Sequence, residues 1–284
     1  MRTLTVRSAG PLTTVQDRGR PGWAHLGVPR SGALDRPASD LANRLVGNDG
    51  SAAVLETTLG GVGFTVSEAT TIAVTGAECA VRVGDRAVAF AEPVGVSAGA
   101  TVTVGRATRG VRSYVAVSGG VDVPEVLGSR STDLLAQVGP GVLRDGDVLP
   151  IGVPSGSPSG ADVGSVRRFV RPALLRLRRG PRDDWFDDTA LDTLTSTSYV
   201  VTGDSNRVGL RLDGGPLSRR RDDELPSEGI VLGAVQVPRS GQPLVFLADH
   251  PTTGGYPVVA VVEPADLWQC AQVRPGEKVR FTRR

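Results

Sequence analysis

The sequence predicts a mainly β chain built from two similar units with a few short helices. Three observations carry that expectation. Glycine (37 residues) and proline (20) are frequent for a helical protein, and the segments between them are rich in Val and Thr. A polar, glycine-bearing stretch near the C-terminus has an echo near the N-terminus, as expected of a degenerate internal repeat. Between the two lies 152–165 (GVPSGSPSGADVGS), a Gly/Ser/Pro-rich segment with little to bury and the composition of a linker. The expected organisation is therefore a first unit over 1–155 and a second over 166–284.

The repeat pairs two stretches. Asp249-His250-Pro251-Thr252-Thr253-Gly254-Gly255-Tyr256-Pro257 sits between two apolar runs, and Asp17-Arg18-Gly19-Arg20-Pro21-Gly22-Trp23 again sets an acid, glycines and an aromatic after an apolar run. Beyond each comes a similar opening, Ala38-Ser39-Asp40-Leu41 and Pro264-Ala265-Asp266-Leu267, to a segment of helical spacing that ends at Gly47 or Gly276. The two histidines, His25 and His250, fall one in each copy. Adjacent glycines such as Gly254 and Gly255 permit positive φ or close approach of a ligand. An ordinary hairpin turn accounts for the same residues.

In chain order, Leu4 and Val6 suggest a first strand and 12–16 a second. From 35 the period changes. Asp35 can cap, Pro37 fits a first turn, Leu41, Ala42, Leu45 and Val46 form one face, and Gly47 ends the helix. Short alternating runs follow at 53–57, 64–66, 71–75, 80–83, 87–90, 101–104 and 113–117, spaced as in a sandwich or small barrel. Barrel closure would remove exposed edges. Glu56 and Glu78 in these runs read as carboxylates facing solvent. The second unit opens with an alternating strand over 166–177, whose arginines read as a solvated face. A short helix is expected over 183–194 with Trp185, Phe186, Ala190 and Leu194 inward, strands over 206–212, 229–237 and 242–248, a second short helix over 266–273, and a closing strand over 279–281.

Composition narrows the chemistry. Hydrophobic content of 39% with 22% charged residues is that of a globular chain, and a net charge of +2 implies no dedicated polyanion or nucleic-acid partner. Lys278 is the only lysine, so there is no Gly-Lys-Ser/Thr phosphate loop and no Ser-x-x-Lys dyad. Cys79 and Cys270 are isolated and no metal site is expected; buried free thiols in a reducing compartment fit better. No apolar run has signal-peptide or membrane-spanning length, which points to a cytoplasmic protein. Ser118-Gly119-Gly120 has the look of an amidase serine loop but no lysine to relay a proton. With Gly128-Ser129-Arg130-Ser131-Thr132-Asp133 it reads instead as a polar patch whose N–H groups and Arg130 could face an anion. Asn48 reads most simply as a turn residue.

Several of these residues also carry a resemblance. Gly10-Pro11-Leu12-Thr13-Thr14-Val15-Gln16-Asp17-Arg18-Gly19-Arg20-Pro21-Gly22, Gly27-Val28-Pro29, Ser31-Gly32-Ala33-Leu34-Asp35, Asn43-Arg44-Leu45-Val46-Gly47-Asn48, Glu56, 128–133, Asn206-Arg207 with Gly209 and Arg211-Leu212, Gly233-Ala234-Val235-Gln236-Val237-Pro238 and Thr252-Thr253-Gly254-Gly255-Tyr256-Pro257 resemble the KipA family. That family is also known as the C-type subunits of 5-oxoprolinase, as allophanate hydrolase subunit 2, or as the second half of the urea carboxylase carboxyltransferase domain. Val208 and Leu210 stand where the family tends to have Met and Tyr, a difference of local packing.

The resemblance implies two cyclophilin-like β-barrel units and a KipI-like partner of the B type, with an A-type component in the full complex. As the C-type subunit of a 5-oxoprolinase the chain would contribute to ATP-dependent opening of 5-oxoproline to glutamate, with ATP belonging to the complex. Two alternatives come with the family. One is carboxyl transfer from carboxybiotin to urea, which needs a separate biotinylated carrier because this chain has no Met-Lys biotinylation site. The other is a regulatory module that antagonises a KipI-like kinase inhibitor. Both enzymatic readings pass through a polarised amide or urea carbonyl, which calls for oriented donors and a carboxylate that handles a proton. The candidate catalytic residues are Asp17, Asp249 and Tyr256. The candidate substrate-binding residues are Gln16, Arg18, Asn48, Glu56, Arg130, Gln236, His250, Thr252, Thr253, Gly254 and Gly255.

Overall fold

The computed structural model describes residues 1–158, 167–187, 189–221 and 223–283. The second half of the linker expected over 152–165, and the first residue of the strand expected from 166, lie outside them. The chain divides into two compact units: Met1–Arg20, Ser31–Asp133 and Gln137–Arg168 in the first, and Pro21–Arg30, Leu134–Ala136 and Phe169–Arg284 in the second.

The first unit is a two-sheet sandwich. One sheet orders the strands Val148–Pro150, Thr3–Ser8, Gly63–Val66, Thr101–Val104, Val81–Val83 and Arg86–Val88; the other orders Leu12–Gln16, Val54–Thr58, Arg109–Val117, Thr70–Glu78 and Val94–Val96. Alternate side chains of the second sheet explain its layers. Leu55, Val74, Val115 and Val117 point into the core shared with Leu4, Val6, Phe64 and Val102, while Val54, Ala73, Tyr114 and Ala116 pack on Leu41, Ala42, Leu45 and Val46. A helix at Arg36–Leu45 thus covers that sheet's outer face, and the central strands read as continuous apolar runs because both faces are buried. Its start follows the expected capping: Asp35 Oδ1 accepts from the Ala38 N–H at 3.0 Å, with proline in the first turn. The short strands Val94–Val96 and Val148–Pro150 were not anticipated, since three-residue pairings leave almost no period to read.

The second unit is a closed seven-stranded barrel in the order Ala173–Arg179, Val258–Val262, Ala234–Gln236, Leu244–Phe246, Gly209–Asp213, Ser198–Val201, Lys278–Arg283. A parallel pairing of Ala173–Arg179 with Lys278–Arg283 completes the circle, so no edge is left open. Ala173, Leu175 and Leu177 face inward. The alternating arginines of that strand do face outward, but two of them are engaged: Arg176 forks onto Asp266 at 2.8 Å and Arg178 onto Glu263 at 2.6 Å. The helix expected over 183–194 is divided into a 3-10 turn at Asp183–Trp185 and a helix at Ala190–Ser196. Trp185 ends the 3-10 turn and Phe186 follows it with extended backbone (ψ 160°), and both side chains are buried. No helix among the described residues is long and apolar enough to cross a membrane.

Two tyrosines make the fold sensitive to alkali. Burial pushes the Tyr199 phenol up to about 12, against a lowering hydrogen bond from Thr197. Burial and then the carboxylates of Glu56 and Asp35 hold Tyr114 well above the ordinary range. Both folded values exceed the unfolded one. Their contribution is therefore intact below about pH 10 and is lost as pH rises toward the folded values, because the unfolded chain releases these protons first. The unfolding free energy is expected to fall over that window, by at most about 2 kcal/mol for Tyr199, and the denaturation midpoint with it. Tyr199→Phe should flatten the fall, and a variant with an unaltered pH dependence would refute the assignment.

Candidate functional site

In the first unit, Asp17 ends the strand Leu12–Gln16 and is 9% exposed. Its Oδ1 accepts from the Gly19 N–H (2.7 Å), Ser129 Oγ (2.6 Å) and Ser131 Oγ (2.6 Å), and its Oδ2 from the Arg130 N–H (2.6 Å). Its own N–H donates to Ser131 Oγ at 2.9 Å. The carboxylate is thus the knot that ties the 17–19 turn to the 129–131 loop. Gln16 is fully buried beside it in sequence, and its Nε2 donates to Thr14 Oγ1 and to the Thr132 carbonyl. The backbone N–H of Arg130 faces an anion as expected, but that anion is Asp17. Its guanidinium is engaged by Asp122, Glu125 and the Val123 carbonyl. Arg18 is half exposed, 3.6 Å from Asp40.

Glu56 does not face solvent as its strand position suggested. It is 1% exposed, directly opposite Tyr114 on the neighbouring strand, beneath the segment that leads into the helix. Its Oε2 accepts from the Tyr114 hydroxyl (2.9 Å) and the Leu34 N–H (3.0 Å), and Arg112 Nε lies 3.6 Å from Oε1. The alternation was right and the outer face was covered, which a strand pattern alone does not reveal. Asn48 spends its amide within the fold: Nδ2 donates to Asn43 Oδ1 and the Val117 carbonyl, and Oδ1 accepts from the Gly119 N–H. It shapes the Ser118-Gly119-Gly120 turn.

In the second unit, Asp249 is fully buried and receives a two-pronged bond from Arg207, Nε to Oδ2 at 2.9 Å and Nη2 to Oδ1 at 2.8 Å. The Leu134 N–H adds a third contact at 3.2 Å. Arg207 itself is 1% exposed. His250 is 6% exposed, packs on Phe246 and donates from Nδ1 to the Pro251 carbonyl at 2.7 Å, which places a proton on that nitrogen. Thr253–Gly254 pairs with Glu228–Gly229 in a two-stranded ribbon. Gly254 and Gly255 do not take positive φ. Gly254 packs closely instead: a Cβ there would lie 2.5 Å from Ile230 Cδ1 and 3.0 Å from Gln236 Nε2, both ends of flexible side chains. Gln236 in turn donates to the Tyr256 carbonyl at 2.9 Å. Within this loop Tyr256 presents itself outward, 45% exposed, with the Arg219 guanidinium 5.7 Å from its ring centre. Thr252 and Thr253 are partly and largely exposed beside it in sequence.

In the first unit Asp17, with Gln16, Arg18 and Arg130, belongs to a loop held by a buried carboxylate, whereas Asn48 and Glu56 are bonded to other segments; in the second, Asp249, His250, Thr252, Thr253, Gly254, Gly255 and Tyr256 share one anchored loop, which Gln236 meets through the Tyr256 carbonyl. The structure adds partners that sequence reasoning did not assign: Ser129 and Ser131 for Asp17, Arg112 and Tyr114 for Glu56, Arg207 for Asp249, and Arg219 for Tyr256. Arg207 stood in a recognised motif, but spacing gave no hint that it reaches a carboxylate 42 positions away. Among the described residues no group of three or more His, Cys, Asp or Glu side chains could hold a metal ion.

A two-sheet unit joined in one chain to a closed seven-stranded barrel, each with such an anchored loop, defines a class with known members. Residues 26–283 match the family described as carboxyltransferase domain, subdomain A and B, and the chain belongs to it. It is 41% identical over 281 residues to the C-type subunit of 5-oxoprolinase from Escherichia coli, covering 98% of this chain and 90% of that one. Among solved structures it resembles TTHA0988 (TM-score 0.91, 36% identity, 99% of this chain and 56% of that chain). It also resembles the Kluyveromyces lactis urea amidolyase (TM-score 0.93, 31% identity, 99% and 18%). The chain therefore spans about half of the first of these solved proteins and under a fifth of the second.

Proposed function

We propose that this chain is the C-type component of a cytoplasmic 5-oxoprolinase, working with a KipI-like B-type component and an A-type component to open 5-oxoproline to glutamate at the expense of ATP. The observation that carries the reading is the near full-length match to the C-type subunit of a 5-oxoprolinase, which includes both anchored loops. In the net reaction water adds across the lactam C–N bond, the ring amide becomes an amine and the carbonyl carbon a carboxylate, while ATP is converted to ADP and phosphate. This chain carries no Gly-Lys-Ser/Thr loop, so ATP is placed in the complex and no step is assigned to it here.

The chain's own contribution follows from burial. Asp17 and Asp249 keep their oxygens for hydrogen bonds within the chain and act by position, holding the 17–19 and 249–257 loops in shape. Tyr256 is the candidate catalytic group that reaches solvent, with a hydroxyl able to donate to developing negative charge on a lactam oxygen. In a complex reconstituted from all three components, 5-oxoproline plus ATP is expected to yield glutamate and phosphate in equal amounts. Tyr256→Phe should lower kcat by about tenfold to a hundredfold while the complex still assembles. A correctly assembled complex without turnover would remove the proposal, and loss of assembly alone would favour the regulatory module.

The second reading is carboxyl transfer, favoured by the family's own description and by the likeness to urea amidolyase. It requires a biotinylated carrier on another chain. Carboxylation of urea in place of lactam opening would establish it.

A further inference from the structure

The second unit holds a cleft of about 470 Å³ lined by Pro216, Leu217, Ser218, Arg219, Arg239, Ser240 and Gly241. Its lining brings two guanidinium groups and two hydroxyls together and includes no carboxylate. The two loops that form it are stitched by backbone bonds: the Leu217 N–H donates to the Gly241 carbonyl at 2.9 Å and the Gly241 N–H to the Pro238 carbonyl at 3.0 Å. Gly241 is required where it stands. Its φ is +77°, and a Cβ would lie 2.9 Å from Pro216 Cβ and 3.2 Å from the Leu217 N, inside the floor of the cleft.

The two arginines differ in how they are held. Arg219 is fixed: its Nη2 donates to the Val237 carbonyl and its guanidinium lies against the Tyr256 ring. Arg239 is 70% exposed, and its ion pair is a distant 3.9 Å contact with a Glu224 that is itself 93% exposed. Such a pair is weak in water and yields readily to a better acceptor. A fixed guanidinium, a second one able to swing onto its target and flanking hydroxyls make a cradle for a planar or tetrahedral oxyanion. Through Arg219 the cleft also adjoins Tyr256, the exposed aromatic of the 249–257 loop.

We infer that this cleft is an oxyanion-recognition site, binding either the carboxylate of the small-molecule substrate or a phosphate group of the nucleotide. The choice of these two sources rests on the function proposed above; the cleft itself does not. The test is calorimetric titration of the isolated full-length chain with inorganic phosphate, ATP and 5-oxoproline, each against wild type and Arg239→Gln. Arg239 is exposed enough that its replacement leaves the fold intact. Saturable binding of at least one ligand is expected, weakened about tenfold in Arg239→Gln and partly restored in Arg239→Lys. Binding of phosphate and ATP without 5-oxoproline identifies the nucleotide as the source, and the reverse identifies the substrate carboxylate. Absence of saturable binding for all three, or equal affinity in wild type and Arg239→Gln, overturns the inference. A chain that fails this test yet supports turnover in the complex leaves the 5-oxoprolinase reading standing, and a chain that binds but supports none separates the two the other way.

Discussion

Asp249→Ala is expected to cost the chain about 3–5 kcal/mol of unfolding free energy, because it strands the Arg207 guanidinium in a site where that residue is 1% exposed. Both nitrogens that now donate to the carboxylate, at 2.9 and 2.8 Å, would lose that acceptor, and the Leu134 N–H would lose its contact as well. The loss should appear in urea denaturation of the isolated chain, with no substrate or partner present. Removing the cation instead, as Arg207→Ala, should destabilise comparably, since a fully buried carboxylate would then lose its counter-charge. Replacing both with apolar residues of similar volume, Arg207→Met with Asp249→Leu, should recover most of the loss, because breaking a buried pair costs far more than exchanging it whole.

Asp17→Ala is expected to be nearly as damaging, at about 3 kcal/mol or more. One carboxylate accepts from two serine hydroxyls and two backbone N–H groups drawn from both loops, and alanine takes the shared acceptor from two buried hydroxyls and two partly buried N–H groups. Asp17→Asn is the informative companion. It keeps the shape but turns one acceptor into a donor, so a hydroxyl or the Arg130 N–H is left unsatisfied. Thermal unfolding should place Asn between wild type and alanine. Should Asp17→Ala match the stability of wild type, the knot described for the first unit would be refuted.

Much of the fold was legible because local patterns and tertiary structure agree. The helix at Arg36–Leu45 announced itself through Asp35, Pro37 and a single apolar face, and the strand Ala173–Arg179 in part, through the alternation that suggested a strand over 166–177. The misreadings have physical causes. Glu56 alternates like a solvent-facing residue, but the helix lies over it and Tyr114 and Arg112 supply its partners from another strand. The helix expected over 183–194 is interrupted where the backbone becomes extended at Phe186. Gly254 suggests backbone freedom in the sequence, whereas in the structure it has no positive φ and packs against the ends of Ile230 and Gln236. In the candidate site the sequence located the loops, since acids, glycines and an aromatic cluster there. It could not separate a carboxylate that meets substrate from one that braces a loop, because that distinction depends on burial and on partners such as Ser129, Ser131 and Arg207, brought in from 42 to 114 positions away.

On the function proposed above, the anchored aspartates act by position and the chemistry lies with exposed groups and the partner chains. The most direct measurement of this division is 5-oxoproline turnover by a reconstituted complex carrying the Arg207→Met/Asp249→Leu chain, set beside that chain's own stability. Near wild-type stability with kcat within about tenfold of wild type is the predicted result. A chain of wild-type stability whose complex assembles but has lost turnover altogether would contradict the account and return Asp249 to the reacting atoms.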